Sequence, residues 1–138
     1  MAITLSTATS DTWASDIGLG IPSATYNISN FRLISPGVSG GISITGTLGG
    51  LAGALSIALL YYYIINQNLL HTIYITAAGF TGMITDSLLG AKLQAKYYQP
   101  QTGHWSDTPN PHYQHQSGFS SITNDHINLI SQIILCTV

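Results

Sequence analysis

The sequence predicts an all-α membrane protein, a polytopic helical bundle with two complete spans and a partial helix at each end. Charged residues make up 6% of the 138 residues, compared with about 25% in an ordinary soluble domain. Between Arg32 and Lys92 the one full charge is Asp86. The rest of that stretch is mainly Leu, Ile, Ala, Gly, Thr and Tyr, and it is long enough to cross a bilayer twice.

Two apolar stretches predict the membrane-spanning helices. The first covers about 42–65, or roughly 36 Å at 1.5 Å per residue, and the second covers about 69–89, or roughly 31 Å. Both lengths suffice for a hydrocarbon core of about 30 Å. Asn66, Gln67 and Asn68 lie between them, so we expect a helical hairpin with a short polar turn.

The ends of the chain predict partial helices. The apolar run 127–138 is too short to span a bilayer, and the segment after Met1 is interpreted as the end of another helix. We therefore expect one membrane domain over 1–138 that is a fragment of a longer bundle. The stretch 92–124 is polar and contains three prolines, which predicts an irregular loop.

The basic residues predict the orientation of the hairpin. Arg32 precedes the first span, whereas Lys92 and Lys96 follow the second, so all three lie at the same end. The positive-inside rule then places Arg32, Lys92 and the loop 92–124 on the cytoplasmic side, or in an equivalent compartment. Three basic residues give no footprint for nucleic acid, and we expect a membrane lipid as the partner.

Both spans carry faces of small residues, and the second face includes Asp86. The spacing of three and four residues is typical of closely associating transmembrane helices. A carboxylate in hydrocarbon costs roughly 2.5–3.5 kcal/mol on insertion scales, and packing does not require one. We therefore predict that Asp86 faces protein or water and has a functional role. The glycines of the two faces are Gly46, Gly50, Gly53, Gly79, Gly82 and Gly90.

Four polar segments hold carboxylates and amides around a Gly-rich turn: 11–18, 36–43, 86–94 and 124–128. Mg²⁺ prefers oxygen ligands and usually takes one or two carboxylates together with substrate phosphates. Backbone N–H groups of a Gly-rich turn beside a helix start bind anions. Together the segments suit a phosphorylated or nucleotide substrate with an apolar tail. Taken singly, the acids of 11–18 are equally well explained as solvated loop residues, the turn at 36–43 as an ordinary helix entry, and 124–128 as a helix N-cap.

In combination the four segments resemble the integral membrane family that includes transmembrane protein 19 and plant phytyl-phosphate kinase. Residues 11–18 read DTWASDIG, 36–41 read PGVSGG, 86–94 read DSLLGAKLQ and 124–128 read NDHIN. Their order and spacing are similar to the family pattern over nearly the whole chain. The third segment is the most specific of the four.

This resemblance implies a kinase that acts on an isoprenoid monophosphate, such as phytyl phosphate, at the cytoplasmic or stromal face. It implies a nucleoside triphosphate as phosphate donor and Mg²⁺ as cofactor. Metal binding would fall to Asp11, Asp16 and Asp86, and catalytic roles to Asp86 and Asp125. The implied phosphate-binding residues are Arg32, Gly37, Gly40, Gly41, Asn124 and Asn128.

Three alternatives stay open at this point. Nucleotidyl transfer to a lipid phosphate would use the same groups, and a non-catalytic or degenerate membrane fragment would keep the helices alone. A transporter segment is a third interpretation, because buried acids also mark ion paths. The histidines of the polar loop are not expected to bind zinc, because nothing there fixes a supporting shell.

Overall fold

The computed structural model describes residues 1–65 and 67–136. These residues form four helices: α1 (Ala2–Gly20), α2 (Ile44–Ile64), α3 (Leu69–Leu93) and α4 (Asn124–Cys136). They also form an antiparallel pair of strands, β1 (Tyr26–Asn27) and β2 (Gly41–Ile42). A second antiparallel sheet has the order β4-β3-β5, from β3 (Lys96–Gln99), β4 (His104–Ser106) and β5 (Gln114–Ser117). Asn66 of the predicted turn and residues 137–138 of the predicted last helix lie outside the described residues.

Helix α1 packs along α2 because glycines allow the two backbones to approach. A Cβ added to Gly53 would lie 2.8 Å from the carbonyl oxygen of Thr9, and one added to Gly46 would lie 2.8 Å from that of Ala14. Any larger residue at these positions would push the helices apart. The small-residue face of the first span is thus used within the chain, and association with other chains stays a prediction.

Two buried serines tie α1 to its neighbours. Ser10 Oγ donates to the carbonyl oxygen of Gly50 at 2.8 Å. Ser6 Oγ lies 3.3 Å from the Ala54 oxygen and 3.2 Å from the Ile75 oxygen. Small hydroxyls that bond across helices are typical of packing in lipid. These contacts hold α1 against both α2 and α3.

Helix α2 begins at Ile44, after the N-cap residue Ser43, whose Oγ accepts a hydrogen bond from the Gly46 amide at 3.1 Å. Among the described residues, α2 is the one helix long and apolar enough to cross a membrane. Only 33% of its most apolar window is buried inside the protein. A soluble protein would bury most of such a helix, so we expect the exposed Leu and Ile side chains of α2 to face lipid.

The second predicted span also forms a helix, α3, which ends at Leu93 rather than at residue 89. It is less apolar than α2 because several threonines and Asp86 interrupt it. The threonine hydroxyls donate to the preceding turn, as in Thr76 to the Thr72 oxygen at 2.8 Å and Thr81 to the Ala77 oxygen at 2.7 Å. Membrane crossing by α3, and with it the polytopic bundle, stays a prediction.

The prediction of an irregular loop over 92–124 is wrong for its central part, which forms the three-stranded sheet. Tyr98 pairs with Trp105, with ring centroids 4.9 Å apart, and the Tyr97 ring lies 5.4 Å from that of His115. Such aromatic cross-strand pairs stabilise a sheet. Gly103, with φ of 71°, makes the turn between β3 and β4. The fold is therefore mostly helical but not all-α.

Helix α4 packs against α3 and begins at Asn124, earlier than the predicted start at 127. Ile127 and Ser131 lie on its packed face and are 0% and 1% exposed. This contact brings the polar segment at 124–128 against the one at 86–94.

Candidate functional site

A polar cavity of about 280 Å³ lies where α1, the Gly-rich turn, the start of α2 and the end of α3 meet. Parts of all four polar segments line it, including Ser15, Gly40, Asp86 and Asn124. The start of α2 and the end of α3 share one end of the hairpin, since the turn at Gly40 packs against Ala91. The cavity thus lies beside the end of the apolar helix α2.

The Gly-rich turn forms one wall of the cavity. Gly37 and Gly40 have φ of 85° and 77°, a region that glycine adopts without steric cost. A Cβ at Gly40 would collide with Ala91, whose backbone nitrogen would be 2.7 Å away. Gly41 pairs with Asn27 in the small sheet, which holds the far side of the turn. Gly37, Gly40 and Gly41 all line the cavity.

The first turn of α2 opens onto the same cavity through Gly46 and Thr47. Backbone N–H groups at a helix N-terminus carry partial positive charge and bind anions. The Gly46 amide donates to Ser43 Oγ at 3.1 Å and the Thr47 amide donates to the Ser43 carbonyl oxygen at 2.8 Å, so this turn offers the cavity its partial positive charge rather than unpaired amides.

Asp86 lies at the junction of α3 and α4 and is 7% exposed. Ser131 Oγ donates to its Oδ1 at 2.9 Å. With its amide nitrogen turned to the carboxylate, Asn128 donates to Oδ1 at 2.8 Å and to Oδ2 at 3.1 Å. Charge-assisted hydrogen bonds of this kind stabilise a buried carboxylate. Asp86 therefore faces protein and the cavity, in the position the sequence predicts.

The predicted metal set is only partly brought together. Asp11 interacts electrostatically with Asp86 across α1 and α3 but does not line the cavity. Asp16 is exposed on α1. Among the side chains that the structure describes, those of residues 1–65 and 67–134, no three His, Cys, Asp or Glu residues form a group that could hold a metal. Of the three predicted metal ligands, only Asp86 lines the cavity; Mg²⁺ usually takes only one or two carboxylates, and its other ligands are substrate phosphates and water.

The other predicted site residues divide into two groups. Asn124 lines the cavity and Asn128 contacts Asp86. Asp125, in the first turn of α4, and Arg32, between β1 and β2, are exposed and do not line the cavity. The fold brings Asn124 to the cavity and Asn128 to Asp86, whereas Asp125 lies on the exposed surface; the phosphate-binding and catalytic roles of these residues stay predictions.

The structure adds Asp107, to which the sequence alone assigns no role. Its Oδ2 accepts a hydrogen bond from the Ser39 amide at 2.6 Å, so the sheet is fastened to the Gly-rich turn. Trp105 N donates to Ser35 Oγ at 3.1 Å beside it. These two hydrogen bonds join residues about 70 positions apart, and no local sequence pattern predicts such contacts. The position of Asp107 beside the Gly-rich turn is therefore known only from the fold.

Lys96 accompanies Asp107 and is 4% exposed. Its Nζ donates to the Ala91 carbonyl oxygen at 2.9 Å. Burial lowers the pKa of Lys96, and attraction to Asp107 opposes that change. Burial likewise raises the pKa of Asp107, while the Ser39 amide and Lys96 oppose it. Each group thus favours the charged form of the other beside the cavity, which Asp107 lines.

The fold and the site define a helical membrane protein with a polar cavity at one end of an apolar helix. The chain belongs to the family described as Integral membrane protein DUF92, whose model matches residues 1–136. Family membership supports a location in the membrane.

Relatives with this sequence pattern occur in archaea, bacteria and plants. The chain is 29% identical over 130 residues to an uncharacterized membrane protein of Methanocaldococcus jannaschii, covering 94% of this chain and 44% of that protein. It is 35% identical over 92 residues to an uncharacterized membrane protein of Synechocystis, covering 67% and 36%. It is 24% identical over 135 residues to Protein PGR of Arabidopsis thaliana, covering 90% and 47%.

The chain spans less than half the length of each of these relatives. No solved structure matches it.

Proposed function

We propose that this chain carries the phosphate-binding part of a membrane enzyme that phosphorylates a prenyl-type lipid phosphate, such as phytyl phosphate. The phosphate donor would be a nucleoside triphosphate, as the resemblance of the four polar segments implies. The observation that carries the proposal is the position of Asp86. It lies in a polar cavity between a Gly-rich turn and a helix N-terminus, beside helices whose apolar side chains are exposed.

Each wall of the cavity has a role in the proposal. Amides of the turn at Gly37 and Gly40 would bind phosphate oxygens, and the partial positive charge at the N-terminus of α2 would attract them. Asn124 would donate to the same groups from the opposite wall. The exposed face of α2 would leave the prenyl chain in lipid while its phosphate enters the cavity.

Asp86 would hold Mg²⁺ together with water and the substrate phosphates, and the ion would neutralise charge on the phosphates. Ser131 and Asn128 fix the Asp86 carboxylate, so one orientation of its oxygens is kept. In the transfer, an oxygen of the lipid phosphate bonds to the γ-phosphorus while the bond from that phosphorus to the bridging oxygen breaks. The products are a lipid diphosphate and a nucleoside diphosphate.

The basic residues support a cytoplasmic or stromal side for the proposed reaction. Lys92 lies in the last turn of α3 and Arg32 lies between the strands that precede α2, so both are at the cavity end of the hairpin. We place this end at the cytoplasmic or stromal face.

The test is transfer of γ-labelled phosphate to phytyl phosphate by a detergent-solubilised full-length relative carrying these segments. We expect label in the lipid product with the unchanged protein and its loss in the variant corresponding to Asp86→Asn. A matched Asp16→Asn variant should keep more of the transfer activity than Asp86→Asn, because Asp16 is exposed and outside the cavity. Full turnover with Asp86→Asn would reject the role of Asp86.

The products also separate the alternatives. Phosphoryl transfer releases a nucleoside diphosphate, whereas nucleotidyl transfer to the lipid phosphate releases pyrophosphate. Release of pyrophosphate would therefore replace the kinase with a nucleotidyltransferase, and no turnover with any lipid phosphate would favour the non-catalytic fragment.

A further inference from the structure

Two buried acceptor atoms at the edge of the cavity have no hydrogen-bond partner within the described residues. They are Oε1 of Gln94 and Oδ1 of Asp107, and both residues line the cavity. An acceptor buried without a partner costs roughly 1–3 kcal/mol, so such atoms usually have a role. Two in one cavity indicate that a ligand supplies the missing donors.

The positions of both acceptors are fixed by the fold. Gln94 follows the last turn of α3, is 7% exposed, and pairs through its backbone with Phe119. Asp107 is held through its other oxygen by the Ser39 amide. Both residues line the cavity, so a small adjustment of each side chain brings its covered oxygen into contact with a ligand there.

The charges around these atoms favour a neutral donor over a cation. Lys96 is buried and attracts Asp107, so the carboxylate charge already has a counter-charge. A second cation would be repelled by Lys96, whereas an O–H or N–H group adds no charge. A phosphate group would be repelled by the two acceptors. The two unpartnered acceptor atoms therefore call for a ligand that offers neutral hydrogen-bond donors.

We propose that Gln94 and Asp107 form a subsite for the ribose hydroxyls of a nucleoside triphosphate. This inference rests on the proposed function, which supplies a lipid phosphate and a nucleotide as the two ligands. A prenyl phosphate consists of hydrocarbon and an ionised phosphate and has no neutral donor to offer. The nucleotide carries two adjacent hydroxyls on its ribose, and a carboxylate commonly accepts hydrogen bonds from ribose hydroxyls.

The test compares ribonucleotides with their 2′-deoxy and 3′-deoxy forms by calorimetric titration of the full chain in detergent micelles with Mg²⁺. The four common ribonucleoside triphosphates are titrated first, and the tightest is compared with its deoxy forms. We expect the removal of one hydroxyl to weaken binding by roughly tenfold, the equivalent of one hydrogen bond to a buried group. This comparison needs no altered protein, so misfolding cannot obscure it.

Variants then assign the effect to the subsite. Gln94→Met keeps the length of the side chain but removes the acceptor, and it should bind ribose and deoxyribose forms within about twofold of each other. Gln101→Met makes the same change on the exposed turn after β3 and should keep the tenfold difference. Retention of that difference in Gln94→Met would overturn the assignment.

The outcomes separate this inference from the proposed function. Equal binding of ribose and deoxyribose forms by the unchanged protein would overturn the subsite while leaving nucleotide binding intact. Weaker binding of inosine triphosphate than of adenosine triphosphate, with no effect of the deoxy forms, would assign the donor to the base and reject the ribose. No binding of any nucleoside triphosphate would overturn both proposals.

Discussion

Replacing Gly40 with alanine should destabilise the protein for two separate reasons. The backbone there has φ of 77°, and an alanine in the left-handed region costs roughly 1–2 kcal/mol. The added Cβ would also overlap Ala91, whose nitrogen would be 2.7 Å away. A methyl group forced into a packed contact typically costs about 1–3 kcal/mol. The expected loss in the free energy of unfolding is therefore about 2–5 kcal/mol.

Gly103→Ala is the matched control. Gly103 has a similar φ of 71°, but its nearest neighbour, the Tyr98 hydroxyl, is 4.0 Å from the position of an added Cβ. That variant should lose only the conformational part, about 1–2 kcal/mol. The difference between the two variants thus measures the contact between the Gly-rich turn and the end of α3.

The assay is unfolding by sodium dodecyl sulfate in mixed micelles, followed by the fluorescence of Trp13 and Trp105. These two tryptophans lie on α1 and β4, so their fluorescence reports on unfolding of the helices and of the sheet. Equal losses for Gly40→Ala and Gly103→Ala would refute the close packing of the turn on α3, and with it the shape of the cavity.

Three further predictions concern the helices and the buried charges. Ser10→Ala removes the hydrogen bond to the Gly50 oxygen and should lower the unfolding free energy by about 0.6–1.7 kcal/mol in the same micelles; no change would mean that this bond does not hold α1. Ser131→Ala removes a hydrogen bond that holds the Asp86 carboxylate and should reduce Mg²⁺-dependent phosphoryl transfer roughly 10–100-fold. An unchanged rate would contradict the role of Ser131 in positioning Asp86. Burial raises the pKa of Asp107 above its ordinary 3.8, so the unfolded state loses this proton first as pH rises. The unfolding free energy of the unchanged protein, relative to Asp107→Asn, should therefore fall as pH rises from 3.8 through the raised pKa, and an increase would contradict the burial of this charge.

The helices were accessible to prediction because long apolar runs and caps are local features. Ser43 and Asn68 lie where α2 and α3 begin, as N-cap preferences indicate. The isolated carboxylate at Asp86 pointed correctly to a buried polar contact, since an unpartnered charge in an apolar helix is costly.

The sheet and the loop contacts were not accessible in this way. The strands β3, β4 and β5 are three or four residues long, too short for their alternation to stand out from a polar loop. The pairing of Asp107 with Ser39 joins distant segments, and no local pattern encodes it. Gln94 was noticed only as part of a motif, and its unpartnered acceptor became visible in the folded cavity.

The central claim is that the cavity at the end of α2 binds the phosphates of both substrates. It is tested most directly by thiol labelling in proteoliposomes of a Cys136→Ser background, with Asn124→Cys in the cavity and Thr102→Cys on the exposed turn after β3. The account predicts that a membrane-impermeant maleimide labels both variants from the same side. It also predicts that phytyl phosphate with a nucleoside triphosphate and Mg²⁺ slows labelling of Asn124→Cys alone. Equal labelling rates with and without these ligands at Asn124→Cys would contradict it.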